Sequence, residues 1–96
     1  MREPELLKII KAMADRNRLR ILQILNEQGE LSCTNIGDCF PIGQATVSHH
    51  LKILTDCGLV KIRREGQFRF VTLNRDLVSR FRSAFTALLP EDRAAS

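Results

Sequence analysis

Residues 43–54 read GQATVSHHLKIL. On a helix at about 100° per residue, Val47, Leu51 and Leu54 share one side, at i, i+4 and i+7. His49 and Lys52 lie opposite, with Ala45 and Ser48 beside them. Gln44 and Thr46 fall in the first turn, where side chains project past the helix end. His50 turns toward the inner side. A helix that only covered a core would more often carry Glu, Lys and Gln outside.

The segment just before it explains this choice. Residues 33–40, CTNIGDCF, predict a short helix with Ser32 as its N-cap and Ile36 and Phe40 turned inward. Only PIG, residues 41–43, separates the two helices. Two short helices joined by a tight turn make a helix-turn-helix. In that motif the second helix enters the DNA major groove with its N-terminal end leading. The residue types suit that task. Gln44 can pair with adenine N6 and N7, Ser48 with several base edges, and Ala45 can meet a thymine methyl. His49 can donate to guanine acceptors or to phosphate. Thr46 and Lys52 are expected at phosphates.

Downstream, the period changes from helical to alternating. After Gly58, LVKIRR and FRFVTL read as two strands around a turn at EGQ. Residues 61–70 hold one Lys, three Arg and one Glu, a local charge of +3 within a chain of net charge +4. A basic hairpin beside a recognition helix is the wing of a winged helix-turn-helix. Arg63, Arg64, Gln67 and Arg69 are its candidate contacts, and arginine suits a narrow minor groove.

The rest of the chain frames this unit. Leu6, Leu7, Ile9, Ile10 and Met13 give a broad apolar face to a first helix over 5–13. Asp15 is the expected N-cap of RNRLRILQILNEQ, whose inner face is predicted to be Leu19, Ile21, Leu22, Ile24 and Leu25, with Gly29 at its end. Asn74 caps a last helix, stopped by Pro90. The predicted order is α-α-α-α-β-β-α, mainly α, with one domain over 1–90 and a flexible tail over 91–96. Leu77, Val78, Phe81, Phe85, Leu88 and Leu89 exceed what so small a core covers. With Leu6, Ile9, Ile10 and Met13 they form the expected homodimer interface. Two recognition helices would then stand about 34–36 Å apart, one turn of DNA.

Composition narrows the function classes. The five Phe, with no Trp or Tyr, disfavour a stacking platform for single strands. No apolar run approaches the roughly 20 residues that cross a membrane, and the N-terminus lacks a secretion signal. Three Cys in such a chain argue against a disulfide scaffold. A cytoplasmic location is expected. No Ser/His/Asp spacing, Gly-rich phosphate loop or carboxylate pair supports catalysis, so no enzyme and no cofactor are expected.

The stretches KAMADRNRLRILQIL, GQATVSHHLKILTDCGLV and IRREGQFRFVTL resemble the ArsR family of bacterial winged-helix transcriptional repressors over nearly the full chain. The resemblance implies a homodimer, joined through its first and last helices. It would bind an imperfect inverted repeat in promoter DNA and be released by an inducer. The familiar metal sites are missing. Where such proteins carry ELCVCDL, this chain has ELSCTNI, so Ser32 and Thr34 replace the two thiolates. Hydroxyls do not replace thiolates for a soft ion. A second familiar site needs His on the last helix, and both His of this chain are at 49 and 50. These two diverge by about 100° on a helix and do not form a shared metal site. No metal ligand set is assigned.

Two other readings stay open. Cys33, Cys39 or Cys57 could make the chain a thiol-based redox or persulfide-responsive repressor. Cys33 and Cys39 would lie about 9 Å apart along a helix and about 120° apart in direction, too far to bridge each other. Alternatively, the winged helix is a protein–protein interaction module with its basic hairpin merely exposed.

Overall fold

The computed structural model describes residues 1–91 of the 96. Its elements run α1 (Glu3–Met13), α2 (Arg16–Gln28), β1 (Leu31–Ser32), α3 (Cys33–Asp38), α4 (Gln44–Asp56), β2 (Val60–Glu65), β3 (Phe68–Leu73) and α5 (Arg75–Leu88). This is the expected winged helix-turn-helix with one addition, strand β1. Two residues are too few to show alternation, so the sequence pattern does not reveal it. Leu31 pairs with Val71 and Ser32 with Phe70, giving an antiparallel sheet of order β1-β3-β2. The short strand covers part of an edge of β3 that would otherwise offer free backbone groups.

Side-chain caps set three helix starts. Asp15 accepts from the Arg18 N–H at 3.1 Å, Ser32 from Asn35 at 3.0 Å and Asn74 from Leu77 at 3.2 Å. Gly29, at φ +86°, ends α2 in a conformation that side chains disfavour. Helix α3 stops at Asp38, two residues earlier than expected. Pro41 disfavours helical geometry at the residue before it, and Phe40 turns half-buried onto the core. The wing closes through Gly66-Gln67, between the paired Glu65 and Phe68. Gly66 has φ +59° and no other residue type among those described has positive φ, which is the type II′ pattern with glycine first.

The core gathers one face from each of α1 to α4 and from the β2–β3 hairpin: Ile9, Ile21, Leu25, Ile36, Val47, Leu54, Leu59, Val60 and Val71 are all fully buried, and Leu77 of α5 packs with them. The expected inner face of α2 needs two corrections, since Ile24 is half-buried at the edge of that face and Leu19 has left it. Leu19 is 43% exposed, because Arg18, one turn before Ile21 and Leu22, occupies the inner slot. The expected dimer set also needs correction. Leu6, Ile9 and Leu77 are buried within the chain's own core and have little left to offer a partner. Phe85, Leu88 and Leu89 remain exposed on the last helix, as does Leu7 on the first, a residue the expected interface omitted. Ile10, Met13, Val78 and Phe81 are half-buried between the two groups. The expected tail, apart from Glu91, lies outside the described residues.

The Asp15 cap makes a testable contribution. The Arg18 backbone N–H holds the Asp15 carboxyl below its ordinary value, and the Arg18 charge adds to this. A lowered folded-state value gives stability that is present above about 3.9, the ordinary Asp value, and lost as pH falls through the lowered one. Asp15→Ala is expected to cost about 1 kcal/mol in urea unfolding at neutral pH. The difference from the parent should vanish in strong acid.

Candidate nucleic-acid interface

Helix α4 is positioned by its apolar side. Val47, Leu51 and Leu54 are buried, and His50 is buried with them. Hydrogen bonds fix the His50 ring. Arg18 Nη1 lies 3.3 Å from His50 Nδ1, and Arg18 Nε donates to the Ala12 carbonyl at 2.6 Å. A guanidinium only donates, so Nδ1 accepts and the ring proton is assigned to Nε2. Arg18 thus ties the end of α1 to the middle of α4. Its partners lie 6 and 32 residues away, which sequence spacing alone does not reveal.

All six residues expected to face DNA from α4 are exposed: Gln44, Ala45, Thr46, Ser48, His49 and Lys52. Lys52 makes an exposed ion pair with Asp56 at 3.3 Å, one turn on. The wing lies alongside. Ser48, Lys52, Thr55, Asp56, Ile62 and Arg69 line one groove between helix and hairpin. A second cleft, at the N-terminal end of α4, is lined by Thr34, Gln44, Gln67 and Arg69 among others. Arg69 borders both.

The four wing residues do not act together. Strand residues alternate between faces, and directly paired residues share one. Arg64 pairs with Arg69, on the face that carries Ile62 and the buried Val71. Arg63 points to the other face. There its guanidinium meets Glu65 at 2.6 Å and Glu30 at 2.9 Å, and lies 4.7 Å from the centre of the Phe70 ring. Arg63 is therefore paired, and it bridges the wing to Glu30 in the segment before β1. Its alternation with Arg64 was readable in the sequence, but a local charge sum hides it. Glu30 carried no signal of this role. Among the described residues, no carboxylate lies within ion-pair distance of Arg64 or Arg69.

The cysteines are dispersed. Cys39 is exposed, with its thiol 3.3 Å from the Asn35 carbonyl. Cys33 is half-buried beside Thr34 and Gln44. Cys57 is half-buried, and burial pushes its thiol up, which lowers the reactive thiolate at neutral pH. Among the described residues, no three His, Cys, Asp or Glu side chains are grouped to hold a metal ion.

A helix-turn-helix with a basic hairpin beside its second helix defines a winged-helix DNA-binding protein. Comparison with known proteins agrees. A family model described as a helix-turn-helix domain matches residues 13–63. The chain is 38% identical over 74 residues to the arsenical resistance operon repressor of Staphylococcus aureus, covering 77% of this chain and 70% of that one. It is 34% identical over 71 residues to a cadmium resistance transcriptional regulatory protein homolog from the same species. That match covers 74% of this chain and only 59% of the relative. Among solved structures, it resembles the homodimeric winged helix-turn-helix DNA-binding domain of a possible ArsR-family regulator from Mycobacterium bovis. The TM-score is 0.73 and the identity 29%, over 88% of this chain and 79% of that one. The chain belongs to the ArsR family of winged helix-turn-helix transcriptional regulators.

Like charges placed directly opposite on a sheet repel. Arg64→Glu would turn the Arg64–Arg69 pair into an attractive one. Thermal unfolding is expected to show a gain of about 0.2–1 kcal/mol. Binding to duplex DNA should be lost in the same variant.

Proposed function

We propose that this chain is a homodimeric repressor that binds an imperfect inverted repeat in promoter DNA in the cytoplasm and blocks transcription there. It acts by binding, without catalysis. Residues 1–90 form the one domain that binds DNA and dimerises. The observation that carries this reading is the bare Arg64–Arg69 pair beside a polar, exposed helix face. Two like charges on directly paired strand positions, with no carboxylate within ion-pair distance among the described residues, make a positive surface that a polyanion matches. A module that docked only to other proteins has no need of that arrangement on the side where α4 is also polar.

In this reading Gln44, Ala45, Ser48 and His49 meet base edges in the major groove. Thr46 and Lys52 meet phosphates. Lys52 exchanges its exposed pair with Asp56 for a phosphate at little cost, because exposed pairs of this kind are worth little. Arg64, Gln67 and Arg69 follow the backbone or minor groove. Arg63 holds the wing in place from its far side.

Dimerisation is supported by Leu7, Phe85, Leu88 and Leu89, which leave apolar surface open on the first and last helices. A second copy covering this surface also brings a second recognition helix to the adjacent groove, which adds affinity without new chemistry. The release signal is not a soft ion held at the Cys-x-Cys position, since Ser32 and Thr34 stand there.

Selection of bound sequences from random duplex DNA tests the reading. An inverted repeat with half-sites about 10–10.5 base pairs apart, centre to centre, is expected. Gln44→Ala should relax preference by about 1–3 kcal/mol at one position of each half-site. No enrichment, with no salt-dependent binding, would favour the protein-docking alternative. Leu88→Glu is expected to convert the dimer to a monomer in sedimentation and to weaken DNA binding at unchanged half-site preference. A monomer in the parent protein would sink the assembly.

A further inference from the structure

We infer that Gly37 is a positioning residue that seats the Gln44 amide against α3 and so sets how Gln44 meets a base. The inference rests on the base-reading role given to Gln44 above. Gly37 is buried in α3, where that helix crosses the start of α4. A Cβ built on Gly37 would lie 2.8 Å from Gln44 Cδ and 3.1 Å from Oε1, and closer still to Nε2. The Gln44 amide therefore occupies the space that any side chain at position 37 would fill. Gly37 has an ordinary helical backbone, so no turn geometry requires glycine there. The close approach of the amide is what requires it.

The seat matters because Gln44 is the first residue of α4 and follows Gly43, which has no side chain to cap the helix. A long side chain at a helix start samples many rotamers. Resting on Gly37, the amide is confined before DNA arrives, and less order remains to be imposed on binding. The wing tip lines the same cleft through Gln67 and Arg69, so the direction of the amide also decides which groups share it.

Gly37→Ala is the test. Alanine favours helix over glycine, so the variant folds and melts at or above the parent temperature. Its single methyl displaces the Gln44 amide. Three results are expected. The Gln44 side-chain amide resonances of the free protein move. Preference at the base pair that Gln44→Ala relaxes falls by about five- to tenfold, since one bidentate contact is disturbed. The salt dependence of binding is unchanged, because no phosphate contact is touched. In a Gln44→Ala background, Gly37→Ala should then have no further effect on base preference.

Unmoved amide resonances would overturn the seat, whatever the DNA results. An equal loss of preference with and without Gln44 would overturn it too, by showing that the methyl acts through general packing. If the resonances move but Gln44→Ala leaves base preference intact, the seat stands and the base-reading role of Gln44 falls.

Discussion

Burial of Val47, Leu51 and Leu54 anchors α4, and the rest of the interface follows from it. A helix fixed along one stripe has no freedom left about its own axis. Once those three side chains enter the core, Ala45, Ser48, His49 and Lys52 must face out. The same core holds Val60 and Val71 at the base of the wing, so helix and hairpin are set against each other by shared packing. The groove between them has Leu51 and Ile62 at its apolar base and Ser48, Lys52, Asp56 and Arg69 among its polar lining. Its shape is inherited from the apolar side, which lets its surface residues be chosen for what they bind.

A second constraint joins this unit to the first helix, which carries the exposed Leu7. Arg18 donates to the Ala12 carbonyl at the end of α1 and to His50 in the middle of α4. Asp15, the cap of α2, sits 3.9 Å from the same His50 nitrogen. His50 is buried, and its hydrogen bond with Arg18 links the middle of α4 to the end of α1. This network fixes the angle between a helix with exposed apolar surface and the recognition helix. In a two-fold assembly that angle sets the separation of the two recognition helices.

Much of this was readable in the chain, and the gaps have physical causes. The caps at Asp15, Ser32 and Asn74 and the stripe of α4 are local features, governed by residues three or four apart. They match the structure. Strand β1 is too short to carry a period. Leu6 and Ile9 on α1, and Leu77 on α5, lie on helices with more apolar residues than one narrow stripe. Periodicity then shows that a helix is buried, and leaves open which leucine meets its own core. Leu19 gave way to Arg18 for a long-range reason, the hydrogen bonds to Ala12 and His50. The Gly37–Gln44 contact depends on how two helices cross, a relation that the spacing of residues within one helix does not carry.

The wing shows how charge and function separate within a single hairpin. Arg63 and Arg64 are neighbours in sequence, yet the pleat sends them to opposite faces. On one face, Glu30 and Glu65 pair with Arg63, which bridges the hairpin to the segment before β1. On the other, Arg64 and Arg69 stand opposed and bare. Arginines scattered only for solubility would have no reason to segregate in this way. The like charges therefore lie on the side where α4 presents its exposed residues, and burial of Val60 and Val71 farther along that same face anchors the hairpin. Like charges left without a carboxylate beside the exposed residues of α4 suit a partner of opposite charge.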